Sequence, residues 1–477
     1  MSFVSKWNTS IKCNFKKIFL LSNQCRPACV LLIKLNPKIM KRHVLYLLLL
    51  GSAFQWSCQD RCQQTRTFRK TTPVSIPIAD LRKSFAVEAP RTPQEPGKIY
   101  VKDNFLFINE IKEGVHVYDN SNPSAPRALA FLKIPGNVDM AVLDNFLYAD
   151  TYTDLLVLDI TNPATAREVK RVEFATKNGV FARTSWYYDE TSKNILTQKE
   201  EIVTETVQTD CDGNLSLWPY FAPIWYFGKF YGMVDYSFMS GRSQSFASSA
   251  SDGGSSGTGG SMARFTISKE HLYVVRTNEM QDYNIKDRTN PVRGAIIPLD
   301  FGVETIFPYK NQLYIGSQTG MYIYDITVPE KPQRLSFYVH IRACDPVVVQ
   351  NDVAYVTLRG TGNFCGGTRN VLDAIDVSDP RSPRLFKSYP MTGPYGLGVD
   401  GERLFICEGK SGLKILDISR GPMGITQTQE FKNVDAFDVI PLNGTLLMVG
   451  KGGLLQYDYS GSQNLRLLST ISVKPLF

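Results

Sequence analysis

Four acidic side chains stand at equivalent places, each near the entry to an apolar, strand-like run: Asp139, Glu304, Asp345 and Asp435. Tyr395 takes that place in a fifth copy. Carboxylates gathered around one mouth would repel each other, and could bind a divalent cation or a basic ligand group. A paired-carboxylate site can also do acid–base or metal-assisted hydrolysis. The plainer expectation is that each caps local backbone N–H groups or pairs with a nearby arginine such as Arg342. No catalytic residue is assigned, and no cofactor is expected unless that mouth holds a cation. Other chemistry is poorly supplied. The four histidines, at 43, 116, 271 and 340, are too scattered for a His-rich metal site. Glu408-Gly-Lys410-Ser411 lacks the earlier glycine of a phosphate loop, and Asp210-Cys-Asp212-Gly-Asn214 lacks the later glutamate of a calcium loop.

These residues belong to a repeat. Short runs end in Asp: Gly114–Asp119, Leu155–Asp159, Met321–Asp325, Leu372–Asp376, Leu413–Asp417 and Leu454–Asp458. Turns with Asn or Asp before Pro often follow, as in Ser121-Asn-Pro123, Thr161-Asn-Pro163 and Ser378-Asp-Pro380. A degenerate copy, Asp282-Tyr-Asn284, precedes Thr289-Asn-Pro291. Most intervals are about 41 residues, and each copy breaks into four strands. The first hairpin turns carry turn chemistry at Asp103-Asn104, Asp144-Asn145, Lys310-Asn311, Asn351-Asp352, Asp400-Gly401 and Asn443-Gly444. The repeated Asp is expected to accept backbone N–H bonds of its own turn. Four strands at this period predict an all-β fold, a β-propeller of seven four-stranded blades over residues 97–475. Eight blades would follow if the large insertion at 176–261 hides another sheet.

The repeat units, above all Leu155-Leu-Val-Leu-Asp159-Ile-Thr-Asn-Pro163, resemble the LVIVD repeat of exported bacterial β-propeller proteins. Leu413–Ser419 and Met321–Thr327 are similar to it. The resemblance implies a lipid-anchored propeller and carries no established reaction.

The N-terminus is consistent with export. Residues 1–57 hold nine Lys and Arg and no acid, against 53 and 45 in the whole chain. Without them the balance is 44 to 45, which removes the electrostatic case for nucleic-acid binding. Residues 40–57 have a signal-peptide pattern: Lys41-Arg42, then the apolar Val44–Ala53, too short to span a bilayer. Cys58 follows, and the segment resembles a lipoprotein signal with Cys58 as the lipidated residue. Gln55 departs from the aliphatic residue usual there, and an ordinary secretory signal is the alternative. Residues 1–39 are expected to lie upstream of the true start at Met40. Residues 58–96, rich in proline, read as a tether and lead-in.

Propeller topology sorts the loops onto two faces, and every irregularity falls on one of them. The insertion is there, with aromatics Trp218, Tyr220, Trp225 and Tyr226 and a Gly/Ser-rich stretch. They are either a binding surface or the insertion's own small core. Cys344 and Cys365 flank one hairpin, and a disulfide is expected between them in an oxidising compartment. Cys62, Cys211 and Cys407 have no assignable partner.

The leading functional expectation is a non-enzymatic binding scaffold for protein or glycan, lipid-anchored to the bacterial outer membrane, with no nucleic-acid partner. The alternative is an envelope hydrolase or lyase using the acidic mouth.

Overall fold

The computed structural model describes residues 61–181, 184–210, 258–261, 263–276, 278–300, 302–340, 346–360, 369–461 and 465–474. The chain divides into two compact units, residues 1–64 with 208–215 and residues 65–207 with 216–477. The repeats lie in the second.

Each repeat folds as an antiparallel meander. In the second, Met140–Leu143, Phe146–Thr151, Asp154–Asp159 and Arg167–Val172 pair in order. Composition explains the layering. The first three strands are mostly buried, whereas fourth strands such as Arg384–Pro390 and Thr426–Phe431 are mostly exposed. A four-stranded unit with apolar faces on both sides must be sandwiched, so the blades stack on one another.

Seven blades close a ring. Their inner strands are Pro96–Lys102, Met140–Leu143, Phe265–Ser268, Val303–Tyr309, Val347–Gln350, Leu397–Asp400 and Asp438–Leu442. Consecutive inner strands are neighbours from the first blade to the seventh. A shared core of Ile99, Val101, Leu106 and Ile108 with Ile440, Leu447 and Val449 joins the seventh back to the first. Every blade also shifts register by a bulge between its third and fourth strands, for example at Val117/Tyr118 and Gln456/Tyr457. A bulge bends a strand and increases its twist.

The insertion does contribute a sheet, so the described residues hold eight in all. The eighth does not enter the ring, because the inner strands of blades two and three are direct neighbours. It comprises Asn178–Phe181, Thr184–Asp189 and Asn194–Asp210, with Arg61–Pro77 as its fourth strand. This corrects the lead-in, which is not an irregular tether from its first residues. The physical reason is β-branched content: Thr65, Thr67, Thr71, Thr72, Val74 and Ile76 suit a strand, and Ile195, Thr197, Ile202, Val203 and Thr204 face them from the other chain segment. Thr65 and Thr206 share a hydroxyl hydrogen bond at 3.1 Å, and Thr67 and Thr204 another at 2.9 Å.

The eighth sheet docks through Trp186, which is buried. Its indole N–H donates to the Tyr152 carbonyl at 2.8 Å, and its ring meets Tyr152 edge-on. Ile78, Leu81, Val138, Tyr188 and Ile195 complete that small core. Blade one is widened on both edges. Ala86–Glu88 adds to its outer strand and Thr258–Gly259 to its inner one.

Candidate functional site

The repeated Asp is a turn residue, as expected. Asp119, Asp159, Asp325, Asp376, Asp417 and Asp458 each accept the backbone N–H of a Ser or Thr two positions on, at 2.7–3.0 Å. Those bonds hold each carboxyl below its ordinary range. An arginine eight positions on adds a second contact in three blades. None of these carboxylates is left for a ligand role.

The end of the channel where the inner strands begin is different. It is crossed by the chain itself. Thr258–Gly259 pairs with blade one. The Ser261 hydroxyl donates to Asp438 of blade seven at 3.1 Å and accepts the Leu397 N–H of blade six at 2.9 Å. The Ala263 carbonyl accepts the Ile306 N–H of blade four at 2.9 Å. The Arg264 and Phe265 N–H groups donate to Asp139 of blade two, at 2.7 and 3.1 Å. Five other blades thus share one short segment, residues 258–265, which runs from the end of the insertion into the inner strand of blade three. It is a plug.

The carboxylates expected at this mouth are placed as follows. Asp139 is buried and saturated. Besides the two plug amides it binds the Lys98 ammonium and the Met140 N–H. Glu304 is half-buried and accepts a bond from the Gln318 amide at 3.3 Å. Burial pushes its carboxyl up, opposed by Gln318 and by the charges of Arg264, Arg359 and His340. Asp435 is half-buried and lies outside the inner strand. Its structural equivalent is Asp438, which sequence reading missed. Asp438 stands five residues before the Asn443 turn, as Asp139 stands five before Asp144, and that offset was the available signal. Asp438 is fully buried, and burial drives its carboxyl well above its ordinary range. One oxygen binds Ser261, and the other has no hydrogen-bond partner. Tyr395 lies under the Arg359 guanidinium, 3.9 Å from its ring centroid, with Phe437 edge-on. It serves packing between blades.

Two further participants carried no sequence signal, Lys98 and Arg264. Lys98 is buried and Arg264 half-buried among these carboxylates. Asp150 completes the cluster. Its Oδ1 accepts the N–H groups of Val138 at 2.7 Å and Asp139 at 3.1 Å, and the Asn137 amide at 2.9 Å. Burial nevertheless pushes its carboxyl up to about 7.

Among the described residues, no three of His, Cys, Asp and Glu stand close enough to share a metal ion. Glu408 and Lys414 form a buried ion pair at 2.7 Å, with Glu408 also accepting the Thr392 N–H at 2.6 Å. That segment is therefore a packed hairpin and not a phosphate cradle. Cys407 is a buried free thiol. Asp345, Cys58, Cys344, Cys365 and the aromatics Trp218, Tyr220, Trp225 and Tyr226 lie outside the described residues.

Fold and site together define a repeat-built β-propeller whose axial end is closed by its own chain. The chain carries LVIVD repeats, a family of repeats that form β-propellers: the family model matches residues 96–130, 136–173 and 346–391. No curated protein matches the sequence significantly. Among solved structures, a functionally unknown protein from Desulfotomaculum acetoxidans is similar, at 8% identity and TM-score 0.48, over 78% of this chain and 98% of that one. The computationally designed Ika8 protein aligns at 9% identity and TM-score 0.46, over 82% and 93%. BamB from Moraxella catarrhalis aligns at 10% identity and TM-score 0.41, over 81% and 99%.

Proposed function

We propose that this protein is a binding scaffold of the bacterial cell envelope, anchored to the outer membrane by lipid at Cys58. It meets a protein or glycan partner through the face that carries the insertion. The observation that carries this reading is the plug. Asp139 and one oxygen of Asp438 at the axial mouth are engaged by the chain's own Lys98, Ser261 and backbone amides, and Arg264 sits among the carboxylates there. Binding then falls to the loops around that end, where long connections on a rigid ring are suited to it. Trp218, Tyr220, Trp225 and Tyr226 are the residues we assign to the contact.

Two measurements test this. Metabolic labelling with an alkyne fatty acid should mark the wild-type chain in the membrane fraction and leave Cys58→Ser unmarked. An unmarked wild type would sink the anchor. Sedimentation with isolated cell envelopes, before and after protease or glycan-hydrolase treatment, should be lost when the four aromatics are changed to Ala. Equal sedimentation of that variant would sink the assigned surface.

The competing reading is an envelope hydrolase or lyase working through the acidic mouth with a divalent cation. Saturation of Asp139 and burial of Asp438 weigh against it. A rise in melting temperature with Ca²⁺ or Mg²⁺ that disappears in Asp438→Asn would revive it.

A further inference from the structure

A cleft of about 910 Å³ opens between blades two and three, beside the eighth sheet. Its volume falls in the range of pockets that hold small organic ligands. One wall is apolar: Leu155, Phe174, Phe265 and Val274 line it, three of them no more than 5% exposed. The outer two strands of blade three, Glu279–Asn284 and Val292–Pro298, supply polar lining. Tyr283 and Arg293 face each other across neighbouring strands there.

Charge balance singles out one group. Of the acids lining the cleft, Asp139 pairs with Lys98, Asp154 with Arg82 at 2.9 Å, and Glu279 with Arg276 at 2.6 Å. Asp150 is tied to three N–H donors. Of the cations, Lys177 pairs with Glu190, and Arg264 sits among Asp139, Asp150 and Glu304. Arg293 donates to the Glu173 backbone carbonyl and has no ion pair among the described residues. Tyr283 is its cross-strand neighbour. That residue is 0% exposed, lines the cleft, and has no hydrogen-bond partner of normal geometry, with the Arg276 guanidinium close by. A ligand oxygen would complete the bonding of this hydroxyl.

We propose that this cleft binds a small apolar molecule bearing one carboxylate. The carboxylate is held by Arg293 and the Tyr283 hydroxyl, and the body lies against Leu155, Phe174, Phe265 and Val274. The site is independent of the anchored-scaffold reading, since it uses neither Cys58 nor the insertion aromatics.

The test uses 2-naphthoate, its neutral amide 2-naphthamide, and the cation 2-naphthylmethylammonium, titrated into the full chain with ligand-observed NMR. The naphthoate should bind at least fivefold more tightly than the amide, because a charge-assisted contact is stronger than a neutral one. Arg293→Gln should erase that preference, and Arg293→Glu should transfer it to the ammonium. Arg293 is exposed on an outer strand, so folding is not at stake, and melting curves check it. Tyr283→Phe should weaken naphthoate binding and leave the amide less affected. Absence of naphthoate binding at millimolar concentration, or a preference unchanged by Arg293→Glu, overturns the proposal.

Discussion

Asn120 and Gln456 lie 336 positions apart and exchange two side-chain hydrogen bonds, at 2.9 and 2.7 Å. They sit at the seam between blades one and seven. Each of those blades supplies its own four consecutive strands, so the ring is not closed by a strand shared between its ends. Closure rests mainly on side chains: this amide pair, the apolar seam core, and the Ser469 hydroxyl donating to the Pro123 carbonyl at 2.6 Å, with one backbone bond from the Lys474 N–H to the Pro93 carbonyl at 2.8 Å.

Asn120→Ala should therefore destabilise the ring by about 1–3 kcal/mol, because it strands the buried Gln456 amide. Replacing both residues by Leu should cost less than either single change. Urea unfolding of the single and double variants measures the coupling directly.

Lys98 and Asp139 form a buried ion pair, with side chains 3% and 2% exposed. Removing one partner leaves the other charge buried and unpaired, at a cost of about 3–5 kcal/mol. Asp139→Asn should also loosen the plug, because the same carboxylate oxygen holds the Arg264 and Phe265 amides. Hydrogen exchange at residues 263–265 should accelerate more than exchange in the inner strands of blades four to six. Adding Lys98→Met should restore part of the stability without restoring the slow exchange.

Much of this architecture was legible. The Leu155–Asp159 run of blade two is a strand that starts one residue earlier, at Asp154, and the turn dipeptides do adopt positive φ: Asp103, Asp144, Lys310, Asn351 and Asn443 lie at 49–52°. The third blade shows the limit. Lys269 and Glu270 make the same turn, at 49° and 60°, without turn chemistry, so the neighbouring strands impose it. The site was read less well. Asp139 and Glu304 were found because they sit at strand entries. Lys98 and Arg264 were not, because a buried cation is defined by partners that are distant in sequence. The eighth sheet was hidden for the same reason: one of its four strands comes from before the first repeat.

Asp150 gives the pH dependence. An unperturbed aspartate titrates near 3.9, whereas burial raises this one to about 7. Folding thus favours its neutral form. Its contribution is complete below about pH 4 and is lost as pH rises through 7. Asp150→Asn keeps an acceptor oxygen and cannot ionise. The stability of the variant relative to wild type should therefore rise from about pH 4 to about pH 7 and level off above it, as read by urea midpoints. A difference independent of pH would refute the assignment.

Gly179 lets the eighth sheet dock. A Cβ there would stand 2.1 Å from the Trp186 ring, so Gly179→Ala must displace the indole that binds Tyr152. The sheet should detach locally while the ring persists. Limited proteolysis should then cut within 178–197 at least tenfold faster, with little change in the main unfolding transition.

The pairing of Thr65 with Thr206 spans 141 positions, and the plug reaches blade seven from residue 261. At ribosomal rates of about 5–20 residues per second, the first strand waits on the order of ten seconds for its mate. Through that interval it is an unpaired edge, open to mispairing with another nascent chain. The plug in turn cannot seat until the last blade exists. Assembly of this protein is therefore gated twice, first by synthesis of Asn194–Asp210, which covers the waiting edge, and last by synthesis of blade seven, which seats the plug.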